Sequence, residues 1–389
     1  MKPPLKIMIV AGEASGDLHA AKLVKALREE AAGTEIEFFG CAGPRLREAG
    51  VEPIVQADDL AIVGLLEIGR ALPIFIKAFG RLKRVDRERR PDVAILVDFP
   101  DFNLKLARSL KRSGTRVVYY ISPQLWAWRK YRLRTIRKYV DLLIAILPFE
   151  KDWYAANGIE HVHFVGSPLA MEVHSEVGKE EFCEKHELDA NRPIISLLPG
   201  SRHKEISRIL PVMLESAARI AKAQPDTQFV VPMGTVRAAN EARSILSGVN
   251  GSKTGVTVNA IVIENETYDA LNASDAAAVT SGTATLETGI IGTPLAIVYK
   301  TSPINYKLLR PLISVEHFGL INLIAGRRVA NELIQDEFTP ETLAAEMLRI
   351  LSSETNANIR SELRTAAEKL GHGGASIRAA RAVLDLLGH

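Results

Sequence analysis

Residues 193–205 read PIISLLPGSRHKE. An apolar run short enough for a buried strand ends in Pro-Gly-Ser, and a charged, helix-forming segment takes over. The chain opens in the same order: Leu5–Ala11 (LKIMIVA) runs into Gly12-Glu13-Ala14-Ser15-Gly16-Asp17-Leu18-His19. A strand–turn–helix opening that recurs midway along 389 residues reads as the start of a second α/β half, and a chain of this length suits two domains better than one.

Working outward from these two openings, further strands are expected at Glu35–Phe39, Val93–Val97, Val117–Ile121, Leu142–Ile146 and Val162–Val165 in the first half. In the second they are expected at Gln228–Val231, Val256–Ile263, Ala276–Val279 and Leu295–Tyr299. Helical patterns such as Leu18–Ala31 and Leu104–Leu110 lie between them. Short Val/Ile/Leu-rich strands with helical crossovers imply parallel, doubly wound sheets covered on both faces. The rhythm breaks after Gly166-Ser167-Pro168-Leu169 and stays charged to Asn191. The expected division is a Rossmann-like domain over 1–168, a hinge near 166–192, a second Rossmann-like domain over 190–345, and helices over 346–389 that pack on the first domain or on a partner subunit.

The totals exclude several classes. With 47% hydrophobic residues and a net charge of +3, the chain is neither disordered nor a general polyanion binder. Cys41 and Cys183 are far apart and lack metal-ligand spacing, which disfavours a disulfide framework or a zinc site. No cleavable leader is expected, and no apolar run reaches the ~20 residues of a spanning helix. A cytoplasmic protein, or one lying on the cytoplasmic side of a membrane, is expected.

Ligands of parallel α/β sheets bind outside the carboxyl ends of strands, so the segments after each strand are the candidate site. Gly12 and Gly16 permit close backbone approach, and Glu13, Ser15, Asp17 and His19 add polar groups, although a plain turn with Ser15 or Asp17 as a cap explains the same residues. After Val93–Val97 come Asp98-Phe99-Pro100-Asp101-Phe102-Asn103. Asp101 suits a helix cap, which leaves Asp98 either as a carboxylate able to take a proton from a hydroxyl or as a second capping or turn residue. Gly200, Ser201 and Arg202 offer backbone amides and a guanidinium to a diphosphate, although an ordinary surface arginine explains Arg202 as well. Ser281-Gly282-Thr283-Ala284-Thr285-Leu286-Glu287 places small hydroxyl residues at a helix start suited to an anion, with Glu287 one turn on for ribose hydroxyls, although plain N-capping explains the same residues.

Two other stretches carry chemistry. Leu60–Ile76 (LAIVGLLEIGRALPIFI) presents apolar residues at helical spacing, followed by Lys77, Arg81, Lys83 and Arg84. A buried core helix and an interfacial membrane segment both fit it, and Gly64, Gly69 and Pro73 favour the latter; Val63, Leu65, Leu66, Ile68, Leu72 and Phe75 would touch lipid. Pro123–Arg132, with paired tryptophans beside a basic run, reads either as a solvated basic face or as the lining of a phosphate site.

Together these segments resemble lipid-A-disaccharide synthases along nearly the whole chain. The resemblance rests on AGEASGDLHA (11–20), Gly43-Pro44, DFPDFN (98–103), YISPQLWAW (120–128), LPFE (147–150), Leu198–Arg202 with Glu205, SGTATLE (281–287), Asn322 and Asn331-Glu332-Leu333. One departure is Ser167, where the family pattern Val-Gly-His-Pro-Leu has His. The resemblance implies a GT-B fold, two Rossmann-like domains facing an interdomain cleft with a helical tail. It also implies an inverting transfer of 2,3-diacylglucosamine from its UDP derivative to 2,3-diacylglucosamine 1-phosphate, giving the β-1′,6 lipid A disaccharide 1-phosphate and UDP. Peripheral contact with anionic inner-membrane lipids, a homodimer and a Gram-negative source follow from the same likeness, as does a substrate-binding role for Asn322 and Glu332. Asp98 is the expected base and Arg202 the expected neutraliser of the leaving group. No D-x-D cluster follows a strand, so no cofactor and no metal are expected. The rival readings are a UDP-N-acetylglucosamine 2-epimerase, which has no use for a lipid-facing stretch, and a non-catalytic sugar-nucleotide-binding protein, which has no use for Asp98.

Overall fold

The computed structural model describes residues 3–31, 33–63, 68–251, 257–302, 306 and 315–389, with the backbone alone for 61–63 and 68–71. The chain forms two compact units, Met1–Pro168 with His372–His389, and Leu169–Gly371.

The first unit is a seven-stranded sheet. Its strands are β1 (Leu5–Ala11), β2 (Ile36–Ala42), β3 (Glu52–Gln56), β4 (Val93–Val97), β5 (Arg116–Tyr120), β6 (Leu142–Ala145) and β7 (Val162–Phe164). All neighbours pair in parallel, in the order β3-β2-β1-β4-β5-β6-β7. Alternate side chains of β1 enter opposite cores: Ile7 and Ile9 pack beneath α1 (Ala14–Glu30), and Met8 and Val10 pack on the other face. A strand buried on both faces has to be apolar throughout, which is why LKIMIVA does not alternate.

The same logic builds the second unit from β8 (Ile194–Leu198), β9 (Gln228–Met233), β10 (Ala260–Glu264), β11 (Ala276–Thr280), β12 (Leu295–Tyr299) and β13 (Asn331–Ile334), in the order β10-β9-β8-β11-β12-β13. Among its helices are α10 (His203–Ala223), α11 (Val236–Asn250), α12 (Thr267–Ala273) and α13 (Thr283–Ile291), numbered in chain order. These are the two doubly wound parallel-sheet bodies expected of the GT-B type.

The tail differs from expectation. Residues 346–389 are not one body: the helices Pro340–Leu351 and Ser353–Glu368 belong to the second unit, where Arg360 donates to the carbonyls of Ser274 and Gly292. Only the last helix, Ala375–Leu387, joins the first unit. Its small buried stripe of Ala375, Ala379, Ala380 and Val383 lies in one core with Ala20, Ala21 and Val24 of α1, and Arg381 pairs with Glu30 at 2.7 Å. Small residues on both helices permit this close packing.

α4 (Ile68–Arg89) explains why LAIVGLLEIGRALPIFI reads two ways. Ala78 and Leu82 are buried, with Phe75, Phe79 and Val85 against the same core, while Leu72, Ile74 and Ile76 are exposed. Phe75 differs from the expectation of lipid contact: it is partly buried, its ring centroid 6.0 Å from that of Phe99 and 6.2 Å from that of Phe102, packed against the unit's core. Leu65 and Leu66 lie outside the described residues, as do the side chains of Val63 and Ile68.

Candidate active site

In each sheet the chain order reverses at one place, between β1 and β4 and between β8 and β11. Crevices at the carboxyl ends of such strand pairs are where open α/β sheets hold ligands. The register Ala11↔Val97 sets Gly12-Glu13 beside Asp98-Phe99, and Val279↔Leu198 sets Thr280-Ser281 beside Pro199-Gly200. The sequence motifs thus converge pairwise, one pair in each unit.

In the first unit the chain is strained at the point of interest. Asp98 and Phe99 have φ of 46° and 48°, two successive non-glycine residues in the left-handed region, each at a cost of ~1–3 kcal/mol that surrounding contacts must offset. Those contacts are specific. The Asp98 carbonyl accepts from Asn103 Nδ2 at 2.8 Å and from the buried Tyr119 hydroxyl at 2.6 Å, and Asn103 also donates to the Val97 carbonyl. The Phe99 ring lies against Gly12, where a Cβ would come within 2.5 Å of it. Burial and the nearby charge of Glu13 push the Asp98 carboxyl up to about 6. The result is a carboxylate held on a locked turn and poised near neutrality, as a general base needs to be.

Other expectations at this edge change. Asp17 is 2% exposed, and its carboxylate accepts from the backbone N–H groups of Gly43, Arg45 and Leu46 at 2.8, 2.8 and 3.3 Å. Its lone pairs are committed to pinning α2 (Pro44–Glu48) onto α1, so it supports the site without facing a substrate. Glu13 itself precedes α1 as the cap residue and makes no side-chain cap; Glu13 and Ser15 are exposed, and His19 is partly buried. Asp101 is not the cap of α5 (Pro100–Arg112), because Phe99 holds that position. Its carboxylate pairs instead with Arg129 at 2.8 Å and with Arg132.

In the second unit the carboxyl edge opens into a cavity of about 500 Å³ lined by Gly200, Ser201, Arg202, Ser281, Gly282, Thr283 and Glu287 among others. Gly200 takes φ 104°, and a Cβ there would meet the Glu205 carboxylate at 2.5 Å. That carboxylate accepts from the Ser201 and Arg202 amides at 3.3 Å and from Arg202 Nη1 at 2.9 Å. These donors are therefore already taken by an internal anion, Glu205. Arg202 reaches outward with 82% of its side chain exposed. Opposite it, α13 begins at Gly282 with no side-chain cap, leaving first-turn N–H groups for an anion. Burial raises the Glu287 carboxyl, against the pull of the Tyr268 hydroxyl that donates to it at 3.1 Å.

Three expected binding residues lie behind this cavity. Thr285 is fully buried, donating to the Gly282 carbonyl and accepting from the Leu320 amide. Asn322 and Glu332 are buried partners at 2.9 Å, and Glu332 accepts from the Phe318 and Gly319 amides. The Phe318 carbonyl in turn takes the Ser281 hydroxyl at 2.7 Å. These residues position Ser281 and do not line the cavity. Residues missed by the sequence reading include Gly234, Thr235 and Thr267, which also line it. Their signal was available, since Pro232-Met233-Gly234-Thr235 and Glu266-Thr267 sit at or just after the ends of β9 and β10.

Comparison with known proteins decides between the readings. The family profile described as "Lipid-A-disaccharide synthetase" matches residues 7–384. The chain belongs to the lipid-A-disaccharide synthase family. Relatives bearing that family's name occur in Trichlorobacter lovleyi, 42% identical with 99% of this chain and 98% of the relative covered, and in Geobacter sulfurreducens, 43% identical with 98% and 97% covered. Solved structures share the fold at low identity. The S. aureus MnaA–UDP co-structure has TM-score 0.65 at 16% identity, covering 99% of this chain and 97% of that one. A glycosyltransferase from Rickettsia africae has TM-score 0.58 at 11% identity, covering 100% and 99%. Membership of this family makes the chain a glycosyltransferase of lipid A disaccharide formation, and the two strand-edge constellations are its candidate machinery.

Proposed function

We propose that the chain transfers 2,3-diacylglucosamine from its UDP derivative to the 6-hydroxyl of 2,3-diacylglucosamine 1-phosphate, with inversion and release of UDP. The observation that carries the reading is Asp98, a carboxylate on a strained, braced turn whose acidity is shifted toward neutrality. An α-linked donor that gives a β product requires one in-line displacement. The acceptor hydroxyl loses its proton to Asp98 as its oxygen attacks the anomeric carbon, and the bond to the UDP oxygen breaks. Charge then grows on the diphosphate, which Arg202 and the amides at the start of α13 neutralise. In this reading Glu287, already a hydrogen-bond acceptor for Tyr268, takes the ribose hydroxyls. Purified protein given both lipids should release UDP only when the acceptor is present; UDP release indifferent to acceptor, or conversion of UDP-N-acetylglucosamine at its C2, would contradict the reading.

Arg202 must leave Glu205 for the diphosphate, a neutral exchange of one charge-assisted pair for another. Arg202→Ala should therefore weaken UDP binding ~10–100-fold and slow the chemical step, as titration calorimetry and single-turnover rates will tell. EDTA should leave turnover intact; loss that magnesium restores would mean that a cation, not Arg202, carries the charge.

Acyl-bearing substrates also need a lipid-facing surface. Among the described residues no helix is long and apolar enough to cross a membrane. α4 instead exposes Leu72, Ile74 and Ile76 ahead of Lys77, Arg81, Arg84 and Arg87, a pattern suited to the interface of an anionic bilayer at ~1 kcal/mol per cation. Replacing Leu72, Ile74 and Ile76 by Ser should abolish sedimentation with anionic liposomes while the melting temperature stays within a few degrees, since exposed positions cost little. Undiminished liposome binding would remove this face from the account.

A further inference from the structure

Asp101 holds two guanidiniums. Its Oδ1 accepts from Arg129 Nη1 at 2.8 Å and also from Arg132 Nη2, a cluster of one carboxylate and two cations with net positive charge. Nothing in the proposed transfer so far uses it. The segment that carries the arginines is tied down by hydrogen bonds. Trp126 is buried and donates through Nε1 to Glu150 at 3.1 Å, Glu150 also accepts from the Leu147 amide at 3.1 Å, and the Tyr154 hydroxyl donates to the Pro123 carbonyl at 2.8 Å. Above it, the Arg129 guanidinium lies 4.0 Å from the ring centroid of the half-exposed Trp128. An ordinary surface ion pair has no such foundation. A loop whose tryptophan is tied to a buried glutamate, and whose arginines are fixed by a ring and a carboxylate, is pre-organised to receive something.

We infer that Arg129 and Arg132 form the subsite for the acceptor's phosphomonoester, with Asp101 as the internal anion that keeps the two guanidiniums together until the phosphate arrives. The inference rests on the proposed transfer and deepens it. A phosphomonoester carries between one and two negative charges near neutrality, and paired guanidiniums match its oxygens better than any ammonium group. Position supports the assignment. The Tyr119 hydroxyl, which donates to the Asp98 carbonyl at 2.6 Å, also feels the charges of Asp98, Asp101 and Arg132. A phosphate on these arginines therefore sits in the same neighbourhood as Asp98, where the acceptor hydroxyl has to lie. The subsite then selects the acceptor and sets its register in one contact.

The test compares 2,3-diacylglucosamine 1-phosphate with its 1-O-methyl glycoside, in a neutral detergent free of phospholipid so that only the acceptor's own phosphate is read. The wild-type protein should favour the phosphate in kcat/KM by ~10–100-fold, mostly through KM. In the double variant Arg129→Gln, Arg132→Gln that preference should shrink to within about threefold, with UDP affinity unchanged, and Arg→Lys at both sites should restore part of it. Partial misfolding would lower the rates with both acceptors equally and leave the ratio untouched. Wild-type discrimination retained by the double variant overturns the inference alone. Absence of disaccharide from both acceptors with wild-type protein overturns the proposed transfer, and the subsite with it.

Discussion

Asp98→Asn should lower turnover by ~10²–10⁴-fold, the contribution of one positioned base, and leave UDP affinity within a factor of about two. The same change should make the protein more stable at neutral pH. The Asp98 carboxyl is raised from 3.8 to about 6, so between those values the folded state binds more protons than the unfolded one. Stability therefore falls as pH climbs from about 4 to about 6 and stays lower above it, because a charged carboxylate is being held in a partly desolvated place. Asparagine removes that penalty, worth ~1–3 kcal/mol. Turnover of the unaltered enzyme should run the opposite way, rising as pH passes through about 6 and the base loses its proton. A residue that destabilises the fold where the enzyme works is retained for chemistry. If the Asp98→Asn variant turns over within a few-fold of the parent, the role passes to Glu13, whose charge already acts on this carboxyl.

Asp17→Ala should unfold the first unit far more readily, because three backbone N–H groups lose one buried carboxylate together. Leaving such donors without an acceptor costs ~3–5 kcal/mol, or a fall in melting temperature of roughly 10 °C for a unit of this size. Asp17→Asn keeps one acceptor oxygen and should fall between the two. UDP affinity, read at a temperature where the variant is folded, should be unchanged. A variant of undiminished stability that no longer binds substrate would return Asp17 to the ligand-binding role its motif suggests.

The contrast between Asp17 and Asp98 marks how far the sequence can be read. Both follow glycine-containing or strained turns at strand ends, and both sit in motifs of the same family. Which one faces a ligand depends on whether its lone pairs are already taken by the backbone of a segment 26–29 residues away, and no local pattern contains that. Thr285, Asn322 and Glu332 escape a sequence reading for the same reason, whereas Gly200, Ser201, Arg202 and Ser281–Thr283 are legible because topology alone puts them at a reversal of strand order. Among the strands, β1, β4 and β12 match their expected bounds because central strands are apolar without interruption. β3 (EPIVQ) and β13 (NELI) are missed. Both are outermost in their sheets, where one side of the ladder is unpaired and Pro, Glu and Asn are tolerated. The pairing of Asp101 with Arg129 and Arg132 is out of reach too, since only the packing of α5 against the loop after β5 brings them together.

The most direct test of the account is the anomeric configuration of the product. Both lipids should be incubated with the purified enzyme and the disaccharide isolated for proton NMR, with UDP quantified in the same reaction. A single in-line displacement predicts one UDP per disaccharide and a β linkage from C1 of the transferred sugar to O6 of the acceptor. An α linkage would demand either two displacements through a covalent intermediate or front-face attack within an ion pair, and would contradict the single in-line displacement assigned to Asp98 as base.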